Sequence, residues 1–275
     1  MRFVVHNRQL TESRTTIRDY VPEQPRGSAL LWVHGGGFAG GSIDMAESDA
    51  VARQLAAGGR PVRTVEYRLA PPWPEHGPLN LNPAPGRYPA AQDDVTTAFL
   101  DVAPHGAAFL GGASAGACIA ASVAVRLREE GGPPPLGLVL AYGVFHARLP
   151  MPTGAEDDPP MSPTHARAGE WVERMTLNYA GSRGLLADPK VFPGAGAPTG
   201  LPDTLILDAE RDSLRASGQR FAEQLRESGV CVTETVVPGS SHGFLNDPVS
   251  GDFEQGMLEI TRWLERVGAG NRHGA

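Results

Sequence analysis

The chain has 275 residues, 41% hydrophobic and 20% charged, with a formal net charge of -7. That length suits one large α/β domain with a substantial core, and the composition is that of an ordinary soluble globular protein. The acidic balance, with no Lys/Arg cluster, excludes a nucleic-acid footprint, and no apolar run is long enough to span a bilayer.

In chain order, residues 3–5 and 15–21 predict two short opening strands, a candidate hairpin. No long apolar core follows Met1, so no signal peptide is expected and the cytoplasm is the default location. Residues 29–33 are continuously apolar and end in His34-Gly35-Gly36-Gly37, as a central strand feeding a glycine loop does. Residues 46–57 predict a helix ended by Gly58-Gly59, and residues 61–67 the next strand. A proline-rich passage from 71 to 89 is too broken for either regular element, and residues 90–100 predict a helix. Residues 107–111 predict a short buried strand, and the Ala-rich residues 115–130 a helix stopped by Gly131-Gly132-Pro133.

Residues 137–142 predict another strand. From about 146 to 200 Pro, Gly and Asp dominate, with one helical island over 168–179; this reads as an insertion laid over the sheet. Residues 204–208 and 230–237 then predict strands, and 213–227 and 253–267 helices. Strands alternating with helices imply a mostly parallel twisted sheet covered on both faces. Cys118 and Cys231 form neither a metal nor a disulfide pattern and are both expected to be buried small hydrophobes.

Between the 107–111 strand and its helix lies Gly112-Ala113-Ser114-Ala115-Gly116, a G-x-S-x-G turn that lifts a serine hydroxyl clear of a sheet. On its own the pentapeptide also reads as a tight turn with a serine helix cap. The upstream glycine run offers bare backbone N–H groups to a developing negative oxygen. Nucleophile and anion cradle together point to acyl transfer. A serine hydroxyl needs a base, and the base a third group to orient it. In a strand-elbow-helix scaffold these follow in the order Ser, acid, His. Of His146, His165, His242 and His273, only His242 stands in the loop directly after the last predicted strand, where the base belongs; His273 lies in the C-terminal tail. Asp208, Glu210 and Asp212 cluster after the strand residues 204–207, Asp208 close enough to be held in the sheet. Position favours Asp212, whose other reading is a cap for the next helix.

These residues carry a family likeness. The chain resembles the bacterial hormone-sensitive-lipase-like esterases of the α/β-hydrolase fold. The matches are His34-Gly35-Gly36-Gly37-Phe38, Tyr67-Arg68-Leu69-Ala70-Pro71, Tyr88-Pro89-Ala90-Ala91 with Asp93-Asp94, the Ser114 pentapeptide, Gly200-Leu201-Pro202, Asp212-Ser213-Leu214-Arg215 and His242-Gly243-Phe244. The resemblance implies an α/β-hydrolase fold with a small irregular cap insertion and the triad Ser114, Asp212, His242. It further implies oxyanion donors at the backbone of Gly36, Gly37 and Ala115, with His34 bracing the glycine loop, and no metal or organic cofactor.

Three departures stand out. Ala113 occupies the position where the family usually carries an acid, which removes one hydrogen-bonding carboxylate beside the serine. The N-terminal cap is expected to be absent or minimal. An extra proline-rich loop, about 72–87, separates two blocks that are normally close, and is expected to cover part of the pocket. Phe38, Trp73, His146, Trp171 and Met175 are candidate substrate contacts. Trp171, Met175 and Tyr179 recur every four positions and share a helix face, which serves packing or lines the pocket.

The expected partner is a small-molecule ester of a small or medium acyl group. Nucleic acid and membrane are not expected, and the sequence leaves monomer and homodimer open. An amidase or aryl-formamidase with the same triad is the nearest rival; a hydrolase-derived ligand-binding protein is the rival from another class.

Overall fold

The computed structural model describes residues 1–11, 13–74, 76–103, 107–151 and 163–270. Its strands are β1 (Phe3–Gln9), β2 (Thr16–Pro22), β3 (Ala29–Val33), β4 (Val62–Glu66), β5 (Ala108–Ala113), β6 (Leu138–Ala141), β7 (Thr204–Arg211) and β8 (Val232–Ser241). The helices are α1 (Ala46–Ala57), α2 (Ala90–Val102), α3 (Ala115–Glu129), α4 (Pro163–Ala180), α5 (Arg215–Glu227) and α6 (Gly251–Gly270). The strands form one sheet in the order β1-β2-β4-β3-β5-β6-β7-β8. β1 and β2 are the expected hairpin, β2 also runs antiparallel to β4, and every later pairing is parallel.

The apolar runs read as central strands are buried on both faces. Along β3, Leu31 and Val33 point into the layer holding α2, α3 and α5, while Leu30 and Trp32 point into the layer holding α1 and α6. A strand alternates sides, so a sheet sandwiched between helices needs apolar residues at every position. Cys118 is fully buried in the first layer, whereas Cys231, just before β8, is exposed. The expectation that both are buried fails at Cys231, whose side chain is exposed although the neighbouring Val230 is buried.

Strand order positions the site. From β3 the chain steps to β4 on one side, then crosses back to β5 on the other. Ligands in open α/β sheets bind at such a switch point, beyond the carboxyl ends of the strands. There the glycine loop leaving β3 and the Ser114 turn leaving β5 are neighbours, since Val33 pairs with Gly112.

β7 and β8 run further toward their carboxyl ends than the sequence suggested. A register shift between Ala209 and Arg211 lets β7 and β8 resume pairing at Arg211 and Ser241. Such a bulge bends a strand and adds local twist. The 168–179 island is the larger part of α4, whose Val172, Met175 and Tyr179 enter the core beside α2 and α3. Residues 152–162 of the same stretch lie outside those described. Among the described residues no helix is long and apolar enough to cross a membrane.

Candidate active site

Ser114 sits at φ 53 and ψ -119, in the sharp bend between β5 and α3. Such a conformation costs about 1–3 kcal/mol and persists only where its surroundings enforce it. The flanking glycines show why. A Cβ on Gly112 would lie 2.6 Å from the Val33 carbonyl oxygen, and one on Gly116 only 2.2 Å from it. The Ser114 N–H is tied to the Ala141 carbonyl at 2.8 Å, which fixes the turn to β6.

Asp212 and His242 are brought together by strand pairing. Arg211 and Ser241 are partners at the ends of β7 and β8, so the next residue on each strand leaves the sheet beside the other. His242 Nδ1 lies 2.6 Å from Asp212 Oδ2, and His242 Nε2 lies 3.0 Å from Ser114 Oγ. The carboxylate accepts only, so Nδ1 carries the proton and Nε2 presents its lone pair to the serine O–H. The Asp212 side chain is 5% exposed, that of His242 39%. Asp212 Oδ1 also accepts from the Leu214 N–H at 2.9 Å. That bond tightens the turn ahead of α5, whose N-cap is Leu214 with no side-chain cap bond, so Asp212 does not cap the helix.

The other two acids diverge. Glu210 accepts from the Gly239 N–H at 2.7 Å, and Asp208 is buried with no hydrogen-bond partner among the described residues. Burial, then the negative charges of Asp212 and Glu234, push the Asp208 carboxyl well above the ordinary range, which favours its neutral form.

The glycine loop is held by its carbonyls. His34 Nδ1 donates to the Gly35 carbonyl at 2.7 Å, and the Tyr67 hydroxyl reaches the His34 and Gly35 carbonyls at 3.1 and 3.3 Å. The Gly36 carbonyl accepts from Gly40 at 2.9 Å and Ala39 at 3.3 Å. In a trans peptide the N–H points opposite to the C=O. Fixing the carbonyls of Gly35 and Gly36 therefore turns the N–H groups of Gly36 and Gly37 the other way. Gly36 and Gly37 line one cavity with Ser114 and His242. Ala115 is the first residue of α3, where a helix leaves its N–H without an internal partner. His34 stacks on Tyr67 with ring centroids 4.2 Å apart, and burial lowers it to about 4, so it donates as a neutral ring.

That cavity, of about 320 Å³, is also lined by Met45, Glu47, Trp73, Trp171, Gly243 and Asn246. Trp73, from the proline-rich loop, and Trp171, from α4, stand 6.0 Å apart, tilted by 51°. Arg174 lies 5.7 Å from the Trp73 ring and donates to the Pro74 carbonyl at 2.9 Å, and Asn178 holds the Pro71 carbonyl at 2.8 Å. The beginning of the loop is thereby fastened to α4.

Three expected substrate contacts are elsewhere. Phe38 is 1% exposed and stacked on Tyr179 at 4.2 Å, because its backbone, at φ 64, turns the ring into the core. His146 is clamped between Ser217 Oγ at 2.9 Å and Gln224 Oε1 at 3.1 Å and lines a separate cavity. Met175 is 2% exposed and packs beneath the glycine loop; a Cβ on Gly37 would meet its sulfur at 3.3 Å. The Trp171-Met175-Tyr179 stripe thus divides, with packing at Met175 and Tyr179 and a cavity wall at Trp171. His165 falls within α4, and His273 lies outside the described residues.

The family model for the alpha/beta hydrolase fold matches residues 30–246. The chain belongs to that family. This hydrolase is 35% identical over 236 residues to esterase LipI of Mycobacterium tuberculosis, an alignment covering 82% of the chain and 68% of LipI. It is 30% identical to an ethyl acetate hydrolase of Pseudomonas putida, over 91% of the chain and 78% of that protein. Among solved structures, a Pyrobaculum calidifontis esterase superposes with a TM-score of 0.75 at 26% identity, covering 97% of the chain and 85% of the esterase. The likeness to esterases of the α/β-hydrolase fold, drawn from motifs, is borne out by these relatives.

Sequence reasoning missed Glu47 and Asn246. Both line the cavity, yet neither stands in a motif. Glu47 reads as an ordinary first-turn acid of α1, and only the fold brings it to Asn246, 199 positions away.

Proposed function

We propose that this chain hydrolyses carboxylic esters of small or medium acyl groups through an acyl-enzyme on Ser114. Ser114 Oγ attacks the ester carbonyl as its proton passes to His242 Nε2. The oxyanion formed faces the N–H groups of Gly36, Gly37 and Ala115. Collapse breaks the bond to the alkoxy oxygen, which takes the proton from Nε2 and leaves as the alcohol. Water, losing its proton to the same nitrogen, attacks the acyl carbon and releases the acid and free Ser114. Asp212 holds the ring and stabilises the imidazolium in both steps.

The observation that carries this reading is the unbroken relay from Asp212 through His242 to Ser114, at 2.6 and 3.0 Å, beside the glycine loop. A full relay in register argues against a ligand-binding protein without turnover. The relatives' esterase names favour the ester over the amide rival, and the ethyl acetate hydrolase supports a short acyl group. The volume of about 320 Å³ supports the same size class. In this reading the 72–87 loop and α4 act as a partial cap of a single domain, with Trp73 and Trp171 gripping the substrate. A cytoplasmic location belongs to the same reading; free thiols at Cys118 and Cys231 suit a reducing compartment. The test is the initial rate on 4-nitrophenyl acetate against the matched anilide and N-formylkynurenine. The ester is expected to be faster by about 100-fold or more; a faster amide transfers the function to the rival.

A further inference from the structure

Glu47 is 2% exposed, and its carboxylate collects donors from three separate loops. Oε1 accepts the Gly35 N–H at 2.7 Å. Oε2 accepts the Tyr142 hydroxyl at 2.8 Å and Asn246 Nδ2 at 3.0 Å. Asn246 closes the pair by accepting from the Glu47 N–H at 3.3 Å, and Trp32 Nε1 donates to the Glu47 carbonyl at 2.7 Å. These loops carry different parts of the machinery. Gly35 precedes the oxyanion glycines. Tyr142 follows β6 and sets its ring edge-on to His242, with centroids 5.1 Å apart. Asn246 lies four residues beyond His242, in the same loop.

We infer that Glu47 is a positioning residue for ester hydrolysis, its carboxylate tying the glycine loop to the elements that hold His242. This rests on the esterase reading above. Of the residue types available, a carboxylate fits best. Three converging donors need an acceptor-only group with several lone pairs, whereas an amide offers one oxygen and turns an N–H₂ toward another donor. The first turn of α1 also favours negative charge. The His34-Gly35 peptide is then held at both ends, its C=O by Tyr67 and its N–H by Glu47. The next two peptides, whose N–H groups face the oxyanion, inherit that fixed starting plane. A Cβ on Gly35 would lie 2.5 Å from Glu47 Oε1 and 3.1 Å from the Ala113 carbonyl oxygen.

The experiment is steady-state hydrolysis of 4-nitrophenyl acetate by the wild type, Ser114→Ala and Glu47→Gln, with inhibition by an alkyl trifluoromethyl ketone. Wild-type turnover lost in Ser114→Ala tests the esterase reading by itself; a wild type inert toward esters overturns both proposals. Given turnover, Glu47→Gln is expected to lower kcat by about 10–100-fold with KM within about 3-fold. The ketone, whose hemiketal oxyanion uses the same amides, should weaken by a similar factor. A folded Glu47→Gln with kcat and ketone affinity within about 3-fold of wild type overturns the inference. So does a raised KM at unchanged kcat, which marks a substrate contact. Should Glu47→Gln not fold, Tyr142→Phe and Asn246→Ala each release one anchor and are expected to lower kcat by about 3–10-fold at constant KM. Wild-type kcat in both overturns it.

Discussion

Ser114, Asp212 and His242 leave the carboxyl ends of β5, β7 and β8, whereas Trp73 and Trp171, in the wall of the same cavity, come from a proline-rich loop and an outlying helix. The first group is set by strand register: Val33 against Gly112 brings loop to elbow, and Arg211 against Ser241 brings acid to base. The second is held by side chains, through Arg174 on Trp73 and Asn178 on the Pro71 carbonyl. Contacts of that kind are worth about 0.5–2 kcal/mol each, and Trp171 remains 43% exposed. The difference separates chemistry, which tolerates little displacement, from substrate grip, which tolerates much.

The sharpest way to break the comparison is Asp212→Asn. Replacing one carboxylate oxygen by an N–H₂ favours the wrong imidazole tautomer, and kcat is expected to fall by about 10⁴-fold. Trp73→Ala and Trp171→Ala should act more weakly. Each is expected to change kcat/KM by about 3–10-fold, mainly through KM, and more for longer acyl chains than for acetate. A matched set of 4-nitrophenyl esters measures this. A loss from either tryptophan as large as that from Asp212→Asn would erase the distinction between floor and wall.

Legibility followed the same divide. Ser114 and the glycine loop stand in contiguous motifs because a strand-turn-helix bend has local steric demands, seen here in the close approach of Gly112 and Gly116 to the Val33 carbonyl. His242 was readable from order alone. Asp212 was favoured by position and singled out by the family likeness, since three acids crowd the end of this strand and only the register shift past Ala209 decides which one leaves the sheet beside His242. Phe38 and His146 misled because adjacency to a motif or strand says nothing about where a ring turns. Glu47 was invisible because its partners lie at positions 35, 142 and 246.

The smallest expected effect sharpens the comparison from the sheet itself. Burial raises the Asp208 carboxyl in the fold, whereas in the unfolded chain it ionises above about pH 4. The unfolded state then binds fewer protons, so this residue lowers stability as pH rises from about 4 toward its folded value. Asp208→Asn removes that penalty. The melting-temperature difference, variant minus wild type, is expected to increase by about 2–4 °C or more between pH 4 and pH 8. A difference independent of pH would mean that Asp208 ionises freely in the fold.

The central claim, that His242 and Asp212 make Ser114 the nucleophile, is tested most directly by reaction with a fluorophosphonate followed by peptide mass spectrometry. The account predicts one adduct per chain, on Ser114, formed rapidly by wild type and far more slowly by His242→Ala. A folded wild-type protein that stays unlabelled, or carries the adduct on another residue, would contradict it.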